Sequence, residues 1–159
     1  QKGLRSLEIN KYGLESMLFK DMRDVKFESG IPEEVYAKLR VPNAERIFYI
    51  GDALRLGMSI EEIRKITMID PWFLHNIKEI IDLEKEILSV KGLPKDELLI
   101  KAKEFGFSDR QLGVLLGKTE EEIYKLRKER NINPSFKLVD TCAAEFRAHT
   151  PYFYSTYEQ

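Results

Sequence analysis

The pattern of apolar and polar positions is dominated by one stretch, residues 69–89. Phe73/Leu74, Ile77, Ile80/Ile81 and Ile87/Leu88 recur there at helical spacing. Asp70 stands where an N-cap carboxylate accepts from the free N–H groups of the first turn. Pro71 follows at the first helical position, where its missing N–H costs nothing. Ile69 and Leu74 flank the cap as a hydrophobic staple. One turn of the stripe lacks an apolar residue and carries Glu84, with Leu83 beside it to cover the gap. The pattern predicts a central helix of about nineteen residues, roughly 28 Å long. Asp70, Pro71 and Trp72 are expected to position it. Phe73, Leu74, Ile77 and Ile81 are expected to pack it, with the Trp72 ring buried.

Around this element the pattern predicts more helices and no strand before residue 131. Residues 2–12 form a short amphipathic segment with Leu4, Leu7 and Ile9. Residues 13–31 have scattered apolar side chains (Met17, Leu18, Phe19, Phe27) without a period and read as loop. Pro32 opens a helix with Val35, Tyr36 and Leu39 on one side. Asn43 is the candidate cap of the next, which carries Ile47, Ile50 and Leu54 to Leu56 and stops at Gly57. Ser59 with Glu62, Ser108 with Gln111 and Thr119 with Glu122 have capping-box spelling. They open helices over 60–67, 109–116 and 120–130. A further helix over 94–105 is stopped by Gly106. Beyond Asn131 the character changes: 136–139 favours β structure, and 151–157 is aromatic and extended in pattern. The fold class is therefore all-α, a compact irregular bundle of six to eight helices with an extended C-terminal tail.

Laying Ser59 on Ser108, an offset of 49 residues, aligns Ile63 with Leu112, Ile66 with Leu115 and Asp70 with Thr119. Leu74 then meets Ile123 and Ile77 meets Leu126. Two helical hairpins with the same packing needs produce this, and so does an internal duplication; one matching pair is too few for a solenoid.

Composition narrows the function more than the fold. A net charge of −1 over 159 residues draws the chain neither to nucleic acid nor to an anionic membrane. The single cysteine, Cys142, excludes an internal disulfide framework and fits a reducing compartment. Catalysis needs convergent titratable groups, a metal cluster or a phosphate loop, and the sequence spells none. His75 and His149 have no carboxylate at ligand spacing, and no Gly-rich phosphate cradle occurs. Glu120, Glu121 and Glu122 suit a helix N-terminus without any ion. Leu112 to Arg127 also fits a helix-turn-helix, which would make the chain a nucleic-acid-binding regulator. Its leading edge is then three carboxylates facing phosphate, a serious objection. Gly113 and Gly117 serve a plain helical hairpin equally well.

Several stretches together resemble a known family: Arg5-Ser6-Leu7-Glu8, the run from Ile47 to Arg55, Ile69-Asp70-Pro71-Trp72-Phe73-Leu74, the run from Val139 to Phe146, and Tyr154-Ser155-Thr156-Tyr157-Glu158. In that order they resemble the middle of the carbamoyl phosphate synthetase large subunit, between its two ATP-grasp halves. The resemblance implies a helical oligomerisation domain over 1–159, without catalytic, cofactor or metal residues. Residues 1–12 would leave the preceding half and 133–159 would lead into the following one. It further implies a cytoplasmic ligase making carbamoyl phosphate from bicarbonate, glutamine-derived ammonia and two ATP, for pyrimidine and arginine synthesis. ATP, Mg²⁺ or Mn²⁺, and K⁺ would be held in the flanking halves. Expected partners are those halves, a small glutaminase subunit and further copies of the enzyme. Leu18, Phe19, Phe27, Tyr152, Phe153, Tyr154 and Tyr157 are the candidate interface residues.

Overall fold

Helix α5 (Pro71–Leu88) begins as its residues spell it: Asp70 Oδ1 accepts from the Trp72 N–H at 2.8 Å, and Pro71 takes the first position. The computed structural model describes residues 1–7, 9–143, 145–146 and 151–158. Glu8 and His149, singled out above, and Ala144, within the run from Val139 to Phe146, lie outside the described residues. Before α5 come α1 (Lys2–Arg5), a 3₁₀ turn over Met22–Asp24, α2 (Glu33–Arg40), α3 (Arg46–Arg55) and α4 (Ile60–Thr67). After it come α6 (Asp96–Glu104), α7 (Asp109–Leu116) and α8 (Glu120–Glu129). The tail forms an antiparallel ribbon of β1 (Ser135–Leu138) and β2 (Phe153–Thr156), with Ser135 opposite Thr156 and Leu138 opposite Phe153.

The caps account for most helix starts. Ser59/Glu62 and Thr119/Glu122 close full capping boxes; Ser108 accepts from the Gln111 N–H, but the Gln111 side chain does not return the bond. It turns instead into a buried space beside Gly13. Asn43 does not cap α3. Its Oδ1 accepts from the Glu45 N–H at 2.9 Å, closing a turn that delays the helix to Arg46. The helix expected over 94–105 is held to Asp96–Glu104, and the amphipathic segment over 2–12 to one turn, with Leu7 and Ile9 exposed. The repeat extends to the stops: Met68 and Gly117, again 49 residues apart, both end their helices with φ near +60°.

α5 threads three apolar clusters. Its N-terminal half brings Leu74 to Val35, Leu39, Ile50 and Ile63. Ile81 meets Leu14 and Phe48 midway. Leu83 and Ile87 join Leu99, Phe107, Leu112 and Ile123 at the far end. Trp72 and Phe73 do not belong to this buried face. At about 100° per residue, Trp72 lies about 200° around the helix from Leu74 and Phe73 about 100°. They are 64% and 57% exposed, packed edge to face on each other at 4.9 Å. The expectation of a buried Trp72 is thereby corrected. In denaturant melts Leu74→Ala is expected to cost about 2–5 kcal/mol, and Trp72→Ala no more than about 1 kcal/mol. Equal losses would place the indole in the core after all.

Candidate functional site

Glu84, the break in the apolar stripe, is the key to the middle of the molecule. A carboxylate in the centre of a buried face needs a partner, and it has one in Arg55, the last residue of α3. Arg55 Nε and Nη2 grip the two Glu84 oxygens at 2.7 and 2.8 Å. Nη1 donates to Asp52 Oδ1 at 3.0 Å, one turn back on α3, and Nη2 also donates to the Leu14 carbonyl. The other Asp52 oxygen accepts from the Met17 N–H at 2.8 Å. None of the three side chains is more than 1% exposed. Gly51 makes the room, since a Cβ there would stand 3.2 Å from both Arg55 Nη1 and the Leu14 side chain. Burial disfavours the guanidinium charge, but Glu84 and Asp52 outweigh it and hold the Arg55 pKa above its ordinary value. One side chain thus ties α3, α5 and the loop over 13–17 together. Breaking a buried pair costs more than the pair is worth, because it strands a charge. Glu84→Ala is expected to lower the unfolding free energy by about 3–5 kcal/mol; a loss under about 1 kcal/mol in the same melts would mean that water reaches Arg55.

A second ion cluster fastens the ends of the chain. Asp109, at the start of α7, accepts from Lys103 Nζ at 2.8 Å and from Arg127 Nη2 at 2.9 Å. Lys103 also donates to the Phe107 carbonyl and Arg127 to the Ile132 carbonyl, each at 2.8 Å. The half-buried Tyr157 ring lies over both cations, 5.2 Å from Lys103 Nζ and 5.6 Å from the Arg127 guanidinium. Burial pushes the Tyr157 phenol up from its ordinary pKa. Close by, Lys2 Nζ donates to the Ser155 carbonyl and Arg5 Nη1 to the Gly106 carbonyl, both at 2.6 Å. The first helix and the last strand are therefore held side by side against the α6–α7 turn. Burial works against the Asp109 charge, but the hydrogen bonds from Arg127 and Lys103 outweigh it and hold its pKa below the usual carboxylate value. An acid of this kind binds fewer protons folded than unfolded. Its stabilisation is complete above about pH 4 and drains away as pH falls through the lower folded value. Asp109→Asn is expected to lower stability at pH 7 and to flatten the loss below about pH 4, read from denaturant melts across pH.

The remaining candidates scatter. Leu18 and Phe19 pack on the cluster of α2–α5, and Phe27 lies under Lys85, which pairs with Glu28 at 2.8 Å. Tyr152, Phe153 and Tyr154 are exposed on the ribbon, and Phe136 and Leu138 share a face with Phe153. His75 is exposed and Cys142 half-buried. Among the described residues no three His, Cys, Asp or Glu side chains group as metal ligands, and no helix is long and apolar enough to cross a membrane. α7 and α8 form a tight hairpin, where a Cβ on Gly113 would stand 2.7 Å from the Lys118 carbonyl. The basic side chains of α8 and its C-cap that a helix-turn-helix would offer to phosphate have partners: Arg127 with Asp109, Lys125 with Glu121, Lys128 with Asn133, and the capping Arg130 with Asp96. The hairpin reading holds over the DNA-binding one.

Residues 1–131 match the family model described as carbamoyl-phosphate synthetase large chain, oligomerisation domain. The carbamoyl phosphate synthase large chain of Archaeoglobus fulgidus is 48% identical over 164 residues, which covers 99% of this chain and 14% of the relative. That of Thermoanaerobacter sp. (strain X514) is 46% identical over 156 residues, 98% of this chain and 14% of the relative. A protein of Aquifex aeolicus named carbamoyl phosphate synthase large chain, N-terminal section, is 44% identical over 158 residues, 99% of this chain and 27% of its own length. The chain thus spans 14% of the length of the full-length large chains it matches. With its helical body and its tail both matched, it belongs to the oligomerisation domain of the carbamoyl phosphate synthetase large chain.

Proposed function

We propose that the chain is a non-catalytic link and self-association module within a larger synthetase polypeptide. The observation that carries this is the juxtaposed fastening of its two ends, Lys2 to Ser155 and Tyr157 to the Lys103–Asp109–Arg127 cluster. A module whose ends leave side by side holds the polypeptide before it against the polypeptide after it, while its body projects away. In this reading residues 1–12 come from the first synthetase half and 133–159 run toward the second. The Aquifex relative supports treating tail and helical body as one unit, since both match a single polypeptide named as the N-terminal section. The parent protein would make carbamoyl phosphate from bicarbonate, glutamine-derived ammonia and two ATP in the cytoplasm. The flanking halves would hold ATP, Mg²⁺ or Mn²⁺, and K⁺, with a small glutaminase subunit supplying the ammonia. The chain is expected to hydrolyse no ATP with Mg²⁺ and bicarbonate present, and its weight-average mass is expected to rise with concentration. Hydrolysis that co-purifies with the chain would overturn the non-catalytic role. A single-chain mass at every concentration would overturn self-association.

A further inference from the structure

The two poles of α5 are finished differently. Its C-terminal half lies in the cluster that carries Phe107, Leu112 and Tyr157, where both ends of the chain are fastened. The N-terminal pole is about 27 Å away along an 18-residue helix, and it is apolar. Trp72 and Phe73 stand out from it, and Met68, at the end of α4, is 83% exposed. Met68 holds φ 57° at a stop where the matching position is Gly117. A glycine would serve that backbone better, yet the chain places a long thioether there. Beside these side chains runs a groove of about 420 Å³ between α3 and α5, lined by Ile47, Ile50, Ile69, Phe73, Ile77 and Ile80.

We infer that this pole is the surface through which two copies of the chain meet. The inference rests on the self-association reading and names its face. Three observations favour a second copy as the occupant. The family match is to an oligomerisation domain. Both chain ends are fastened along the middle and C-terminal half of α5, so this pole lies clear of them. The knob and the hole also lie on one helix: Trp72 sits about one turn before the groove walls at Asn76, Ile77 and Ile80. Two α5 helices meeting antiparallel about a two-fold axis would direct each Trp72 toward the other's groove, an isologous contact that closes at the dimer. At 64% and 57% exposed, two Trp72 and two Phe73 rings of roughly 150–250 Å² each still offer roughly 360–600 Å² to a partner. That is about a third to a half of the ~1,200 Å² at the lower limit of stable interfaces, before Met68 and the groove are counted.

Trp72 is the only tryptophan in the chain, so its fluorescence reports on this pole without any substitution. Sedimentation velocity and tryptophan emission are followed on one dilution series. Mass is expected to double while the emission moves to shorter wavelength along the same concentration curve. Trp72→Glu, whose side chain faces solvent in the single chain, is expected to keep its helical circular dichroism and weaken association roughly 30-fold or more. Phe136→Glu, on the tail ribbon, is expected to associate as the unaltered chain does. A dimer whose emission stays fixed, or undiminished association of Trp72→Glu, would overturn this face and leave self-association standing. A mass that never rises would overturn both.

Discussion

A guanidinium with no exposure to water sits where α3, α5 and the loop over 13–17 meet, and the arrangement of the rest depends on it. Arg55 cannot be left there uncompensated, so α5 must present Glu84 at that level and α3 must present Asp52 one turn back. The same side chain takes the Leu14 carbonyl, and Asp52 takes the Met17 N–H, so a stretch without helical period is nonetheless ordered. Leu14, Phe48 and Ile81 close around the charges and keep water out. Apolar contacts alone would tolerate a slide of α5 along α3, because hydrophobic burial is non-directional. The fork of Arg55 on Glu84 does not, since both bonds are lost together when the carboxylate moves by a turn. The ion cluster fixes register between two elements that the apolar clusters only hold together.

With its register fixed, α5 has two differently finished ends. At one end the Asp109 cluster and the Tyr157 ring hold the tail, and Lys2 and Arg5 bring the first helix to the same place. At the other end Trp72 and Phe73 stand largely exposed. A link between two large neighbours needs its attachments close together, and an association surface needs to be clear of them. A capped helix of five turns, buried through its middle, suits both proposed needs.

Much of the helical scaffold was legible because the signals are local. Asp70-Pro71 starts α5, Ser59 and Thr119 start their helices through reciprocal bonds three residues apart, and Gly57, Gly106 and Gly117 stop helices with the positive φ that glycine accepts. The matched hairpins were visible for the same reason, although the structure added that Met68 stands at the place of Gly117. Legibility fails where a side chain has a choice of partner. Gln111 spells a capping box but turns inward, and Asn43 closes a turn instead of a cap. Glu84 was visible only as a gap in a stripe. Its partner lies 29 residues away, and no spacing rule joins them.

By itself the sequence determined the order of the helices, most of their caps and stops, the family, and the absence of any spelled catalytic motif. Each rests on interactions within a few residues or on whole stretches of recognisable sequence. Only the tertiary structure decided that Arg55 satisfies Glu84, that Tyr157 lies over Lys103 and Arg127, and that the indole of Trp72 stays in water. A buried charge is stable only if another element brings its counter-charge within hydrogen-bond reach, and an aromatic ring is buried only if another element covers it. Both are properties of how helices meet, and periodicity along one helix does not contain them.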